Sequence, residues 1–168
     1  ELPITDARMT RFWITLNQGV DFVLSSLEVM RGGEIFVPKI PSMKMTELAN
    51  AMAPDLAIKV IGIRPGEKLH EMMISVDDAR TTVDLGDRYA IEPAFVEYSR
   101  TPYAQSHPLV AEGFSYASDT NDEWLSGQGL LELRSIADGL IDIGVTAIPM
   151  ALAAIAYPFQ NICRGQAL

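Results

Sequence analysis

With 168 residues, the chain is long enough for one domain of ordinary size with a buried core, or for a domain with an appended tail. Hydrophobic residues at 48% and charged residues at 21% fit a folded chain and exclude a disordered one. The net charge of −9 argues against general nucleic-acid binding, which needs a basic footprint, but not against a small anion held by a local cluster such as Lys59, Arg64, Lys68 and His70.

Thr15-Leu16-Asn17-Gln18 has the form of a capping box, and Leu16, Val20, Val23, Leu24, Leu27 and Met30 then recur at helical spacing up to Gly32-Gly33. The pattern predicts an amphipathic helix. Glu34-Ile35-Phe36-Val37 reads as a short strand closed by Pro38, and Thr46 to Met52 reads as a second helix stopped by Pro54. Ile58 to Ile63 is an apolar strand that runs into Arg64-Pro65-Gly66-Glu67, followed by an expected short helix from Lys68 to Met73. That helix would set its positive end beside the turn.

Thr82 to Leu85 and Tyr89 to Ile91, parted by Gly86-Asp87, predict a hairpin. Glu92 to Asn121 lacks periodicity and is expected to form a long irregular arm laid against another subunit or domain. A helix is expected to start at Asp122-Glu123 and run through Leu130, Leu131 and Leu133. Ile143 to Cys163 then carries no charge; its 21 residues could just span a bilayer, although Pro149, Pro158, Gln160 and Asn161 weaken that reading.

Arg64 and Glu67 are the residues whose chemistry stands out. Proline fixes its own φ and glycine accepts angles other residues resist, so the turn holds the two side chains around one small space. The arginine can fork onto a phosphate, and the glutamate can accept from ribose hydroxyls. The same spacing also fits a surface turn with an ion pair inside the loop.

Other chemistry is sparse. The single cysteine, Cys163, excludes an internal disulfide and points to a reducing, cytoplasmic compartment. His70 and His107 are too few for a structural zinc site, and His70-Glu71 is followed by Ile74 where a zinc-protease helix needs a second histidine. Gly127-Gln128-Gly129 lacks a third glycine, and no tyrosine has a lysine four residues on. The chain thus shows no complete catalytic set. Its start, Glu1-Leu2-Pro3-Ile4-Thr5-Asp6, has neither an initiator Met nor a signal-peptide pattern, and the expectation is that it begins inside something longer.

Three motifs in order, Leu2-Pro3-Ile4-Thr5-Asp6 with Arg8 to Thr15, Gly33 to Lys44, and Ile61 to Glu71, resemble the C-terminal half of inverting UDP-N-acetylglucosamine 4,6-dehydratases. These are extended short-chain dehydrogenases of bacterial surface-sugar and pseudaminic acid synthesis. The resemblance implies an α/β fold: the C-terminal substrate-binding part of a Rossmann-like enzyme, with the Rossmann core mostly missing. It divides the chain into a substrate-binding part, residues 1–133, and an unrecognised apolar tail, residues 134–168. It implies substrate contacts at Thr5, Arg64 and Glu67, and no catalytic, cofactor-binding or metal residue. In the complete enzyme NADP would oxidise the sugar C4 hydroxyl, water would leave across C5 and C6, and hydride would return to C6 with inversion at C5. NADP is not expected to bind this chain alone. UDP-N-acetylglucosamine would be the small-molecule partner and the complete enzyme a homo-oligomer. The alternative is a non-catalytic module that makes subunit contacts through the arm or touches a membrane through the tail.

Overall fold

Why the chain takes its shape is clearest where the expected elements meet one another in the computed structural model, which describes residues 1–95 and 99–133. The apolar run from Ile143 to Cys163 and the division into core and tail fall outside the described residues. Within them the chain is a mixed α/β structure of short strands in four small sheets.

Strand β1 (Leu2–Ile4) pairs in parallel with β5 (Ile58–Val60), placing Ile4 opposite Val60. Strand β2 (Thr10–Phe12) runs antiparallel to β4 (Ser42–Lys44), with Phe12 opposite Ser42. The intervening helix α1 (Leu16–Val29) opens on the expected capping box: the Thr15 hydroxyl accepts from the Gln18 N–H at 3.2 Å, and the Gln18 side chain accepts from the Thr15 N–H at 3.0 Å. Strand β3 (Ile35–Pro38) joins the antiparallel order β3-β8-β7, in which β7 (Thr82–Asp84) and β8 (Arg88–Ile91) form the expected hairpin. Helix α2 (Met45–Met52) follows β4 directly and buries Leu48 and Ala49.

Three buried clusters hold these pieces. Trp13, Met43, Leu48 and Leu130 pack together beside α2. Phe12, Val37, Ile74 and Tyr116 join β2, β3 and two further strands, β6 (Met72–Ile74) and β9 (Tyr116–Ala117), which pair antiparallel. Val83, Ala90 and Tyr103 form the third, on the hairpin.

Three expectations need correction. Residues 68–71 are not helical, and β6 begins at Met72, because the backbone there is bonded sideways. Thr10 N–H donates to the Leu69 carbonyl at 3.2 Å, Ser118 N–H donates to the Glu71 carbonyl at 2.7 Å, and the Arg11 guanidinium donates to the Lys68 and Leu69 carbonyls at 2.9 and 3.1 Å. Carbonyls used laterally cannot close helical turns. The irregular arm, too, folds back onto its own chain. Tyr103 and Tyr116 are buried, while Asp84 N–H bonds to the Pro108 carbonyl and Val110 N–H to the Thr82 carbonyl, at 2.9 and 3.0 Å, along the open edge of β7.

The base of the arm is fixed by charge. Arg100 lies 3.2 Å from Glu92 and 3.5 Å from Glu34, with all three side chains largely buried. Burial pushes the Glu34 carboxyl up, but the N–H groups of Arg31, Glu34 and Gly32 and the Arg100 charge outweigh it and hold the group below its ordinary range. The helix expected from Asp122 starts later, with residues 127–133 helical, because Trp124 first bridges in parallel to Ser42.

Candidate functional site

The site grows out of the parallel β1-β5 pair. Beyond the strands the pairing continues, with Ile61 N–H bonded to the Ile4 carbonyl at 2.8 Å and Gly62 N–H to the Thr5 carbonyl at 3.0 Å. Thr5 and Gly62 therefore sit side by side beyond the C-terminal ends of two parallel strands, the end of a sheet where ligands gather in α/β folds. Gly62 takes φ +93°, and the chain then turns through Arg64-Pro65-Gly66-Glu67.

In that turn Glu67 N–H donates to the Arg64 carbonyl at 3.1 Å and Gly66 has φ +82°. Proline at the second position and a left-handed glycine at the third make it a type II turn. A side chain at Gly66 would meet no nearby atoms, so the demand for glycine there is one of backbone angle and not of space.

The Glu67 carboxylate is held from two sides. One oxygen accepts the Arg64 backbone N–H at 3.2 Å, and the other receives the Thr5 hydroxyl across a long 3.5 Å contact. That hydroxyl also lies 3.3 Å from the Met9 sulfur. The exposed Arg64 guanidinium pairs with no carboxylate among the described residues, so the ion pair allowed by the spacing is replaced by a bond to the backbone. The fold thus brings together Thr5 and Glu67, 62 positions apart, and sets Arg64 at the rim with its charge uncommitted.

The neighbouring charges are already engaged. Asp6 is gripped by Arg8 through bonds of 2.8 Å from the backbone N–H and of 3.0 and 2.8 Å from the guanidinium. The Arg8 side-chain bond, followed by its backbone bond, draws the Asp6 carboxyl down to about 2, so the carboxylate stays ionised and is a poor proton acceptor at neutral pH. Lys59 lies 3.5 Å from Glu1. Lys39 is bound to Asp84 at 2.7 Å and sits over the Tyr89 ring. Of the basic cluster read in the sequence, Arg64 and Lys68 are exposed, whereas His70 turns inward.

His70 leads to residues that sequence reasoning did not single out. Its Nδ1 lies 2.8 Å from the Thr10 hydroxyl, which lies 2.7 Å from the Ser118 hydroxyl; Ser118 Oγ in turn accepts the Glu71 N–H at 2.9 Å. Thr10 and Ser118 are buried, and the network braces the segment that follows the Glu67 turn. The 108 positions between Thr10 and Ser118 left no local pattern that could have signalled it.

No group of three or more His, Cys, Asp or Glu able to hold a metal occurs among the described residues. A Cβ at Gly127 would lie 3.4 Å from the Ala51 methyl and one at Gly129 3.0 Å from Leu125, so these two glycines face packed side chains and not a phosphate cradle.

Residues 1–93 match the family described as polysaccharide biosynthesis protein. Over 145 residues the chain is 54% identical to a UDP-N-acetylglucosamine 4,6-dehydratase (inverting) of Campylobacter jejuni, a match covering 83% of this chain and 43% of that protein. A UDP-glucose 4-epimerase of Rickettsia typhi is 42% identical over 95 residues, 54% of this chain and 28% of the relative. The X-ray structure of Pen from Bacillus thuringiensis superposes with a TM-score of 0.62 at 28% identity, over 78% of this chain and 40% of that one. The chain spans less than half the length of each of them.

Proposed function

Because the chain belongs to the polysaccharide biosynthesis protein family, we propose that it is the UDP-sugar-holding part of an inverting UDP-N-acetylglucosamine 4,6-dehydratase of bacterial surface-glycan synthesis, inactive by itself. The observation that carries this reading is the meeting of Thr5, Arg64 and Glu67 beyond the ends of two parallel strands. Arg64, extended into solvent with no carboxylate partner among the described residues, supplies a fork for the diphosphate. Glu67, already oriented by the Arg64 N–H, has lone pairs left for the ribose hydroxyls. Thr5 trades its long contact with Glu67 for a bond to the nucleotide.

In this reading the chain binds and orients, and the complete enzyme supplies the rest. NADP would provide the oxidation and return of hydride that make the reaction an overall lyase step, using groups outside this chain. A homo-oligomer in the cytoplasm, feeding a pseudaminic acid type of pathway, completes the proposal. No helix among the described residues is long and apolar enough to cross a membrane.

Calorimetric titration of the 168-residue chain with UDP and UDP-N-acetylglucosamine tests it. Arg64→Ala should weaken binding by about 1.5–3 kcal/mol, roughly ten- to a hundredfold, the usual effect of losing a hydrogen bond to a charged group. Equal affinity of the wild type and Arg64→Ala for UDP would remove Arg64 from the site. No binding of either ligand by the wild type would remove the site itself.

A further inference from the structure

The turn that carries Arg64 and Glu67 is fastened on both sides, and the two fastenings differ. Its incoming leg is held by backbone: Ile61 and Gly62 N–H donate to the Ile4 and Thr5 carbonyls at 2.8 and 3.0 Å. Its outgoing leg, residues 68–71, keeps two backbone bonds, from Thr10 N–H to the Leu69 carbonyl and from Ser118 N–H to the Glu71 carbonyl, and takes the rest from side chains. The Arg11 guanidinium binds the Lys68 and Leu69 carbonyls, and the Ser118 hydroxyl accepts the Glu71 N–H at 2.9 Å. Ser118 is fully buried and Thr10 nearly so, so their hydroxyl protons must be placed among each other, the Thr10 carbonyl and His70.

Each hydroxyl has one proton to give, which fixes the direction of the chain. Two arrangements are open. If His70 Nδ1 is bare, the Ser118 hydroxyl donates to Thr10 Oγ1 at 2.7 Å, the Thr10 hydroxyl donates to Nδ1 at 2.8 Å, and every proton lies on a short contact. If Nδ1 carries the proton, the chain runs backwards: Nδ1–H donates to Thr10 and Thr10 to Ser118. The Ser118 proton is then left to the Thr10 carbonyl at 3.3 Å, an oxygen that Arg11 already holds at 2.7 Å. The first arrangement has no long member. It also puts the ring proton on Nε2, which lies 3.9 Å from the Asp119 carboxylate, so charge and hydrogen bonding favour the same tautomer.

We infer that His70 is a positioning residue for Glu67. As the Nε2–H tautomer it is the final acceptor of a chain that starts at the Glu71 N–H and passes through Ser118 and Thr10, and that acceptor sets the leg on which the Glu67 carboxylate is carried. His70 itself touches no ligand in this scheme. Without an acceptor at Nδ1 the buried Thr10 proton loses its place, and the cost falls on the segment that shares the chain. The consequence for nucleotide affinity rests on the UDP-binding role proposed for the site; the direction of the chain and its hold on the leg do not.

Two substitutions separate the ring nitrogens. His70→Asn puts an amide oxygen where Nδ1 stands, and His70→Gln puts its amide where Nε2 stands, so they differ in which contact they can restore. In the 168-residue chain, amide hydrogen exchange of Thr10 and Glu71 should stay within about threefold of wild type in His70→Asn, and should speed up by roughly tenfold or more in His70→Gln. Calorimetric affinity for UDP should follow the same order, near wild type for His70→Asn and about tenfold weaker for His70→Gln. Nitrogen NMR of the wild type should show the proton of the neutral His70 ring on Nε2.

A neutral ring protonated on Nδ1 would overturn the inference. So would equal exchange in the wild type and His70→Gln, or a leg held better by His70→Gln than by His70→Asn, since His70 would then act through Asp119. Altered exchange with unchanged UDP affinity would reduce the chain to a structural brace and overturn the positioning role. If the wild type binds no UDP, the Arg64 site fails, and the tautomer and the amide exchange decide the chain by themselves.

Discussion

Helix α2 buries Ala49 and turns Leu48, 1% exposed, into a cluster with Trp13, Met43 and Leu130; helix α1 turns Leu27, 59% exposed, and four other aliphatic residues away from the molecule. Both sequences have the same apolar periodicity. What separates them is the other face. In α2 the apolar side meets β4 and the segment at Leu125 and Leu130, whereas in α1 the serine side is claimed by Arg88, which leaves the aliphatic side outward. Periodicity therefore specifies that a helix has a face to bury; it does not specify that the rest of the described chain buries it.

The contrast can be broken at four points. Leu48→Ala should cost the most, about 2–5 kcal/mol, because it removes a fully buried side chain and leaves a cavity; denaturant unfolding measures it, and a loss under 1 kcal/mol would mean that α2 is not core. Arg88→Ala should cost about 1.5–3 kcal/mol, since it strips both serines of a charged donor. A double-mutant cycle with Ser26→Ala shows whether that loss passes through α1; a coupling near zero would detach the helix from its arginine.

Thr15→Ala removes the cap of α1 and should cost about 1 kcal/mol, seen equally as lost helix signal in circular dichroism. Leu27→Ala should change stability by no more than about 0.5 kcal/mol in the isolated chain, because it deletes a side chain that touches mostly water. If Leu27→Ala matched Leu48→Ala, the outward orientation of α1 would be wrong.

Local chemistry was legible where it is strictly local. The Thr15 to Gln18 capping box, the hairpin across Gly86-Asp87 and the Pro65-Gly66 turn all appear where the residues placed them, because each is fixed within four or five positions by a hydrogen bond or a backbone angle. The short helix at Lys68 to Met73 was not legible. Its residues tolerate a helix, but Thr10, Arg11 and Ser118 draw off the backbone groups that a helix needs, and none of the three lies nearby in sequence. The start of the last helix moved for the same kind of reason, through the bridge between Trp124 and Ser42.

By itself, the sequence determined the turn that carries Arg64 and Glu67, since proline at the second position and glycine at the third leave the backbone one low-energy way round. Only the tertiary structure decided what the turn faces. The parallel pairing of β1 with β5 carries Thr5 across 62 positions to Glu67, while the Arg64 guanidinium is left without a carboxylate partner among the described residues; no local pattern encodes such a pairing, because the energy that fixes it lies between segments and not within one.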